Sequence, residues 1–177
     1  MFSRFSQMLA LCAALTVVAV PVAMAGGDSE RGKDDRRSAV NRLFLTAAAQ
    51  GNLFEIRSGR LATDRGESEG VKALGAMLVS DHKAELGRIR LLASRLGVRL
   101  PEAPNAKQRA QIKALAGTSA GFDAAFLAAQ RTAHVESIAL YRTAALKGGR
   151  AVRVDAVNAL PVLGMHLGEV LLMQGGR

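Results

Sequence analysis

The sequence predicts an all-α protein: a ferritin-like, up-down four-helix bundle with a long crossover between helices 2 and 3. Apolar residues recur at steps of three and four through four long segments, and no segment alternates as a strand would. Short polar turns join the first two and the last two segments. A longer stretch with Pro101 and Pro104 joins the middle pair, and a single long central connection is ferritin-like connectivity.

Residues 1–25 read as a secretory leader. Arg4 supplies the basic start, Met8 to Val22 is apolar apart from Thr16 and Pro21, and Ala23-Met24-Ala25 is a small-x-small cleavage site. That run is short for a membrane span, and nothing later in the chain is expected to cross a bilayer. Cys12 follows Leu11 rather than a small residue, which disfavours a lipid anchor. The exported chain would then hold no cysteine, so a metal site must rely on nitrogen and oxygen donors. Residues 26–37 are glycine-rich and charged, and read as a disordered leader to a domain spanning 38–177.

Ser38 is a good N-cap for a first helix running to about Thr63. Phe44, Ala48, Gly51, Glu55, Ser58 and Ala62 share one of its faces. After a turn at Asp64 to Ser68, the second helix carries an unbroken stripe: Val71, Leu74, Leu78, His82, Glu85, Ile89, Leu92 and Leu96. Gly97 stops it. Asn105 caps a short helix that ends near Gly117. Thr118 or Ser119 opens the third long helix, whose face holds Phe122, Phe126, Leu127, His134, Ile138, Tyr141 and Ala145. Gly148-Gly149 separates it from the fourth, Ala151 to Met173, striped by Val152, Ala156, Ala159, Leu163, His166, Val170 and Met173 and interrupted by Pro161.

The three histidines of the chain fall on the second, third and fourth long helices, and Glu55 sits on the first. At 1.5 Å per residue, His134 and His166 differ in height by only ~4–5 Å across their hairpin, whereas Glu55 and His82 differ by ~9 Å across theirs. His82 and His166 both begin an H-x-x-E string, which puts Glu85 and Glu169 on the same helix faces. Di-iron bundles use the reverse order, E-x-x-H, on two helices. Burying such groups costs free energy unless something satisfies them. One lone buried histidine is more often a hydrogen-bonded core residue; three on separate core stripes point to a cluster. Glu55, His82, His134 and His166 are therefore the candidate metal ligands, with Asp81, Glu85 and Glu169 as supporting or alternative ligands. The competing reading is a structural network in which Asp81 or Glu85 accepts an imidazole proton. One transition metal, zinc, iron, manganese or copper, suits the donor set. Met77, Met165 and Met173 read as core filler.

Several stretches also match a known family. They are Phe44 to Gly59 (FLTAAAQGNLFEIRSG), Val71 to His82 (VKALGAMLVSDH), Gly97 to Pro101, Gly121 to Asp123, His134, and Leu160 to Leu167 (LPVLGMHL). Over about Asn41 to Leu172 the chain resembles an exported bacterial family of unknown function, number four-one-four-two in the domain-of-unknown-function series, often labelled outer membrane proteins. The resemblance implies a ferritin-like four-helix fold and an envelope location. It implies a site of one glutamate and three histidines, matched by Glu55, His82, His134 and His166. The family usually places an acid before the third-helix histidine and a tyrosine where Phe126 stands; this chain has Ala133 and Phe126. It brings no activity with it, and no strand pattern supports a β-barrel.

The formal charge is +9, or +8 once Arg4 leaves with the leader. That balance favours anionic envelope components such as lipid headgroups. Export and the scarcity of aromatics, only Phe44, Phe54, Phe122, Phe126 and Tyr141 beyond the leader, argue against nucleic acid. A homo-oligomer is compatible with the pattern. The expected protein is periplasmic or outer-membrane-associated, binds a metal through a buried His/Glu cluster, and serves envelope stress or metal homeostasis. The alternative is a non-catalytic interaction or stress protein that binds anionic surfaces or clients, with structural histidines. No catalytic residues are assigned, and a dinuclear oxidase ranks last for want of carboxylates.

Overall fold

The computed structural model describes residues 27–176. The leader, with Arg4, Cys12 and the cleavage site, lies outside the described residues. Five helices follow in order: α1 Gly27–Arg65, α2 Glu69–Arg95, α3 Ala106–Gly117, α4 Phe122–Lys147 and α5 Arg150–Gly175. No strand occurs among the described residues.

Helix α1 starts at Gly27, three turns before Ser38. Residues 27–37, expected to be irregular, are helical, and Ser38 lies inside the helix rather than at its cap. Helical backbone needs no apolar stripe where nothing packs against it. Here the i,i+3 pairs Lys33–Glu30 and Arg37–Asp34 support the exposed turns.

The other boundaries follow their local chemistry. Ser68 caps α2 by accepting from the Val71 N–H. Gly97 takes the left-handed conformation (φ 64°) just beyond its end. Asn105 and Gln108 form a reciprocal capping box that starts α3. Helix α4 begins at Phe122 behind Gly121, slightly later than expected. Gly59 and Gly75 let α1 and α2 touch through backbone: a Cβ on Gly75 would stand 2.6 Å from the Gly59 carbonyl oxygen.

The ends of the bundle can be read from its bonds. Arg65, closing α1, donates to the carbonyls of Leu115, Ala116 and Thr118 at the end of α3. The Asp123 carboxylate, opening α4, accepts from the Glu67 and Ser68 N–H groups of the α1–α2 turn. At the opposite end, the Asn41 side chain accepts from Gly149 N–H in the α4–α5 turn. The crossover therefore travels the length of the molecule, carried by α3 on α1 and α4. It makes α1 antiparallel to α2 and α4, and α5 antiparallel to α2 and α4.

The buried interior is split. One apolar cluster contains Phe44, Leu45, Ile89, Tyr141, Val152 and Leu163. The second contains Ala62, Val71, Leu78, Phe122, Phe126 and Val170. The core also contains buried polar side chains: Asn52, Glu55, Ser58, His82, Glu85, Gln130, His134 and His166.

Helix α5 corrects one expectation. With 26 residues and a window hydropathy of 1.5, it is long and apolar enough to cross a membrane by length and composition. It reaches that value because both faces are apolar. Val152, Ala156, Ala159, Leu163 and Val170 are buried, while Val154, Val157, Met165 and Leu172 are exposed.

Candidate metal centre

Three helices bring the histidines together. One ring nitrogen from each of His82, His134 and His166 lies within 4.8 Å of one from each of the others. The rings meet with centroids 5.3 to 5.7 Å apart. His134 and His166 are fully buried and His82 nearly so.

What surrounds the rings sets their protons. His82 Nδ1 donates to Asn52 Oδ1 at 2.8 Å. The Asn52 amide is itself fixed, because its Nδ2 donates to the Ala48 carbonyl. His134 Nδ1 donates to the Gln130 carbonyl at 3.0 Å. His166 Nε2 donates to Asp81 Oδ2 at 2.9 Å. Each imidazole thus spends its one N–H on an oxygen, and a neutral ring then carries a bare lone pair on the other nitrogen. Two of these bare nitrogens, His134 Nε2 and His166 Nδ1, face each other at 3.3 Å. The third, His82 Nε2, is buried with no hydrogen-bond partner.

Two of the three rings are held neutral by their surroundings. Burial, reinforced by the other two rings, holds His82 well below the usual histidine range. Burial pushes His134 down to about 4, partly offset by its bond to Gln130. A small cation would satisfy all three lone pairs. With Zn–N bonds of 2.0–2.1 Å, tetrahedral geometry places two ligand nitrogens about 3.3–3.4 Å apart, the separation seen here for His134 and His166. Oxygen partners on the far nitrogen are what orient metal-bound imidazoles.

The other candidates are placed differently. Glu55 is buried, but its closest approach to a ring is 3.9 Å to His134 Nδ1, the nitrogen already bonded to Gln130. It stands behind the ring rather than among the converging atoms. Burial raises it to about 8, countered in part by the Gln130 side chain. A protonated Glu55 offers an O–H beside the Gln130 amide, and Glu55 Oε2 and Gln130 Oε1 otherwise lack partners. Asp81 orients His166 from the neighbouring helix. Glu85 accepts from Tyr141 at 2.9 Å and from Arg88. Glu169 is half-buried and outside the histidine group.

Sequence reasoning missed Asn52 and Gln130. Gln130 bridges to Ser58 at 3.0 Å and stands one turn from both Phe126 and His134 on the buried face of α4. Asn52 follows Ala48 by four on the buried face of α1. A polar residue interrupting each stripe was the available signal.

A family model described as Domain of unknown function (DUF4142) matches residues 27–172. The chain belongs to the DUF4142 family. Among solved structures, this DUF4142 chain is similar to a DUF305 fragment from Deinococcus radiodurans, with a TM-score of 0.69 at 12% identity, over 78% of this chain and 97% of that one. At that identity the likeness is one of fold. No curated protein matches the chain.

Proposed function

We propose that this DUF4142 protein is an exported, ferritin-like helical bundle that binds one transition-metal ion between His82, His134 and His166, in the service of metal homeostasis or envelope stress. One observation carries the reading: three oxygen acceptors on α1, α2 and α4 take the imidazole N–H groups, so three buried lone pairs converge. An all-imidazole donor set favours zinc or copper over manganese, which prefers oxygen. Asn52 and Asp81 hold the rings in orientation, and Glu55 stays protonated beside His134. Elemental analysis and metal titration of protein purified without a chelating tag test the reading. One ion per chain is expected, lost in both His82→Ala and His166→Ala. A protein that takes up none of zinc, copper, iron or manganese refutes it.

A second reading has its own support. The outer face of α5 exposes Val154, Val157, Met165 and Leu172, and exposed Arg95, Arg150 and Arg153 stand near one end of that face. Apolar residues flanked by arginines suit docking on an anionic envelope surface. Binding to anionic vesicles that weakens with salt and persists in His82→Ala would support it.

A further inference from the structure

A cleft of about 170 Å³ opens between α2, α4 and α5, and His82 and His166 form part of its lining. His134 is not part of that lining and supports the pair from inside the bundle. His82 and His166 thus form the wall between the converging nitrogens and this opening.

Among the described residues no carboxylate joins the three histidines in the converging group. Glu55 stands behind His134, where it lines a separate pocket among α1, α3 and α4. One Asp81 oxygen accepts from His166. Both oxygens of Glu85 are engaged, one by the Tyr141 hydroxyl and one by Arg88. Closed structural zinc sites use four protein ligands, whereas sites with three keep an exchangeable position. A cavity of about 150 Å³ can hold benzene, so a cleft of about 170 Å³ has room for several waters or a small anion. Its wall combines Arg88 and Tyr141 with the apolar Ala159, Val162 and Leu163.

We infer that the cleft between α2, α4 and α5 admits a water molecule or a small anion to a fourth, exchangeable coordination position on the metal. The inference rests on the three-histidine reading above. It makes the centre one that a small ligand can reach, rather than a buried staple.

Copper(II) loaded into the purified protein, followed by azide titration and absorption spectroscopy, tests it. Saturable azide binding should add a new charge-transfer band. Val162→Phe narrows the rim from a half-exposed position, and should keep one copper per chain while weakening azide binding at least tenfold. Bound copper whose spectrum azide leaves unchanged overturns the inference while leaving the metal site standing. Equal azide affinity in Val162→Phe overturns the proposed route. A protein that binds no copper, zinc, iron or manganese removes the metal reading and the inference with it.

Discussion

His134→Leu separates a metal centre from a structural polar network. The side chain is fully buried, and its Nε2 lone pair opposes His166 Nδ1 at 3.3 Å. Its Nδ1 partner is the Gln130 carbonyl, which is also the i−4 acceptor for the backbone of α4, so removing the imidazole leaves no orphaned acceptor. Leucine fills a similar space without a polar atom. Replacing a poorly satisfied buried polar group by an apolar one is neutral to stabilising, so the metal-free variant should gain about 0–2 kcal/mol. At roughly 2–4 °C per kcal/mol for a domain of this size, its melting temperature should be unchanged or a few degrees higher. Metal acts the other way. At a free concentration 100 times Kd, a bound ion stabilises the native state by about 2.7 kcal/mol, or roughly 5–11 °C, in the parent protein only. Thermal unfolding of both proteins, with and without zinc or copper, checks this. A parent melt that no metal moves, together with a metal-free variant destabilised by more than about 2 kcal/mol, would refute the reasoning and return the histidines to a structural role.

Asp81→Ala removes the acceptor that orients His166 and should weaken metal affinity about 10- to 100-fold without changing stoichiometry, as measured by competition with a chromophoric chelator. In the metal-free protein, His82 and His134 titrate below 6.5, so the unfolded chain binds more protons than the native one in that range. Stability should therefore fall as pH drops from 6.5 towards about 4, as read by denaturant midpoints. Glu55 has the opposite sign. Its native carboxyl holds its proton up to about 8 against 4.5 unfolded, so its contribution is lost as pH rises between those values. Glu55→Gln should flatten the decline between pH 6.5 and 8, and an unaltered slope would show that Glu55 is already ionised there. Asp123→Ala leaves the Glu67 and Ser68 N–H groups without their buried acceptor and should cost about 2–4 kcal/mol by chemical denaturation, with metal stoichiometry intact.

Periodicity carried the helical reading because burial and helical repeat coincide here. In α2, every stripe position from Val71 to Leu92 is buried, and the stripe fails only at Leu96, where the helix has ended. The first turns of α1 escaped because charged, solvent-exposed helix leaves no apolar signature. The outer face of α5 escaped because the stripe alone was counted, while exposed valines and leucines also raise its hydropathy. In the site, the histidines were visible as polar breaks in apolar stripes, and rise per residue brought His134 and His166 to similar heights. The same arithmetic left Glu55 and His82 ~9 Å apart. The structure keeps Glu55 out of the converging group and behind His134. Spacing along one helix could not reveal the acceptors, because two of the three N–H groups are taken by a different helix.

That exchange between helices is what makes the site depend on the whole bundle. Asn52 of α1 holds the ring of α2, and Asp81 of α2 holds the ring of α5. The ring of α4 is held by its own helix and opposes the ring of α5. Asp81 and His82 are sequence neighbours, yet one orients a distant imidazole while the other offers its own nitrogen. A shift of α2 by one residue would turn both away. The interior around these rings carries polar groups where a purely stabilising core would hold leucine, and burial keeps His82 and His134 neutral at the expense of stability at low pH. The convergence of three oriented lone pairs is the feature that metal titration of the parent and His134→Leu proteins puts to the test.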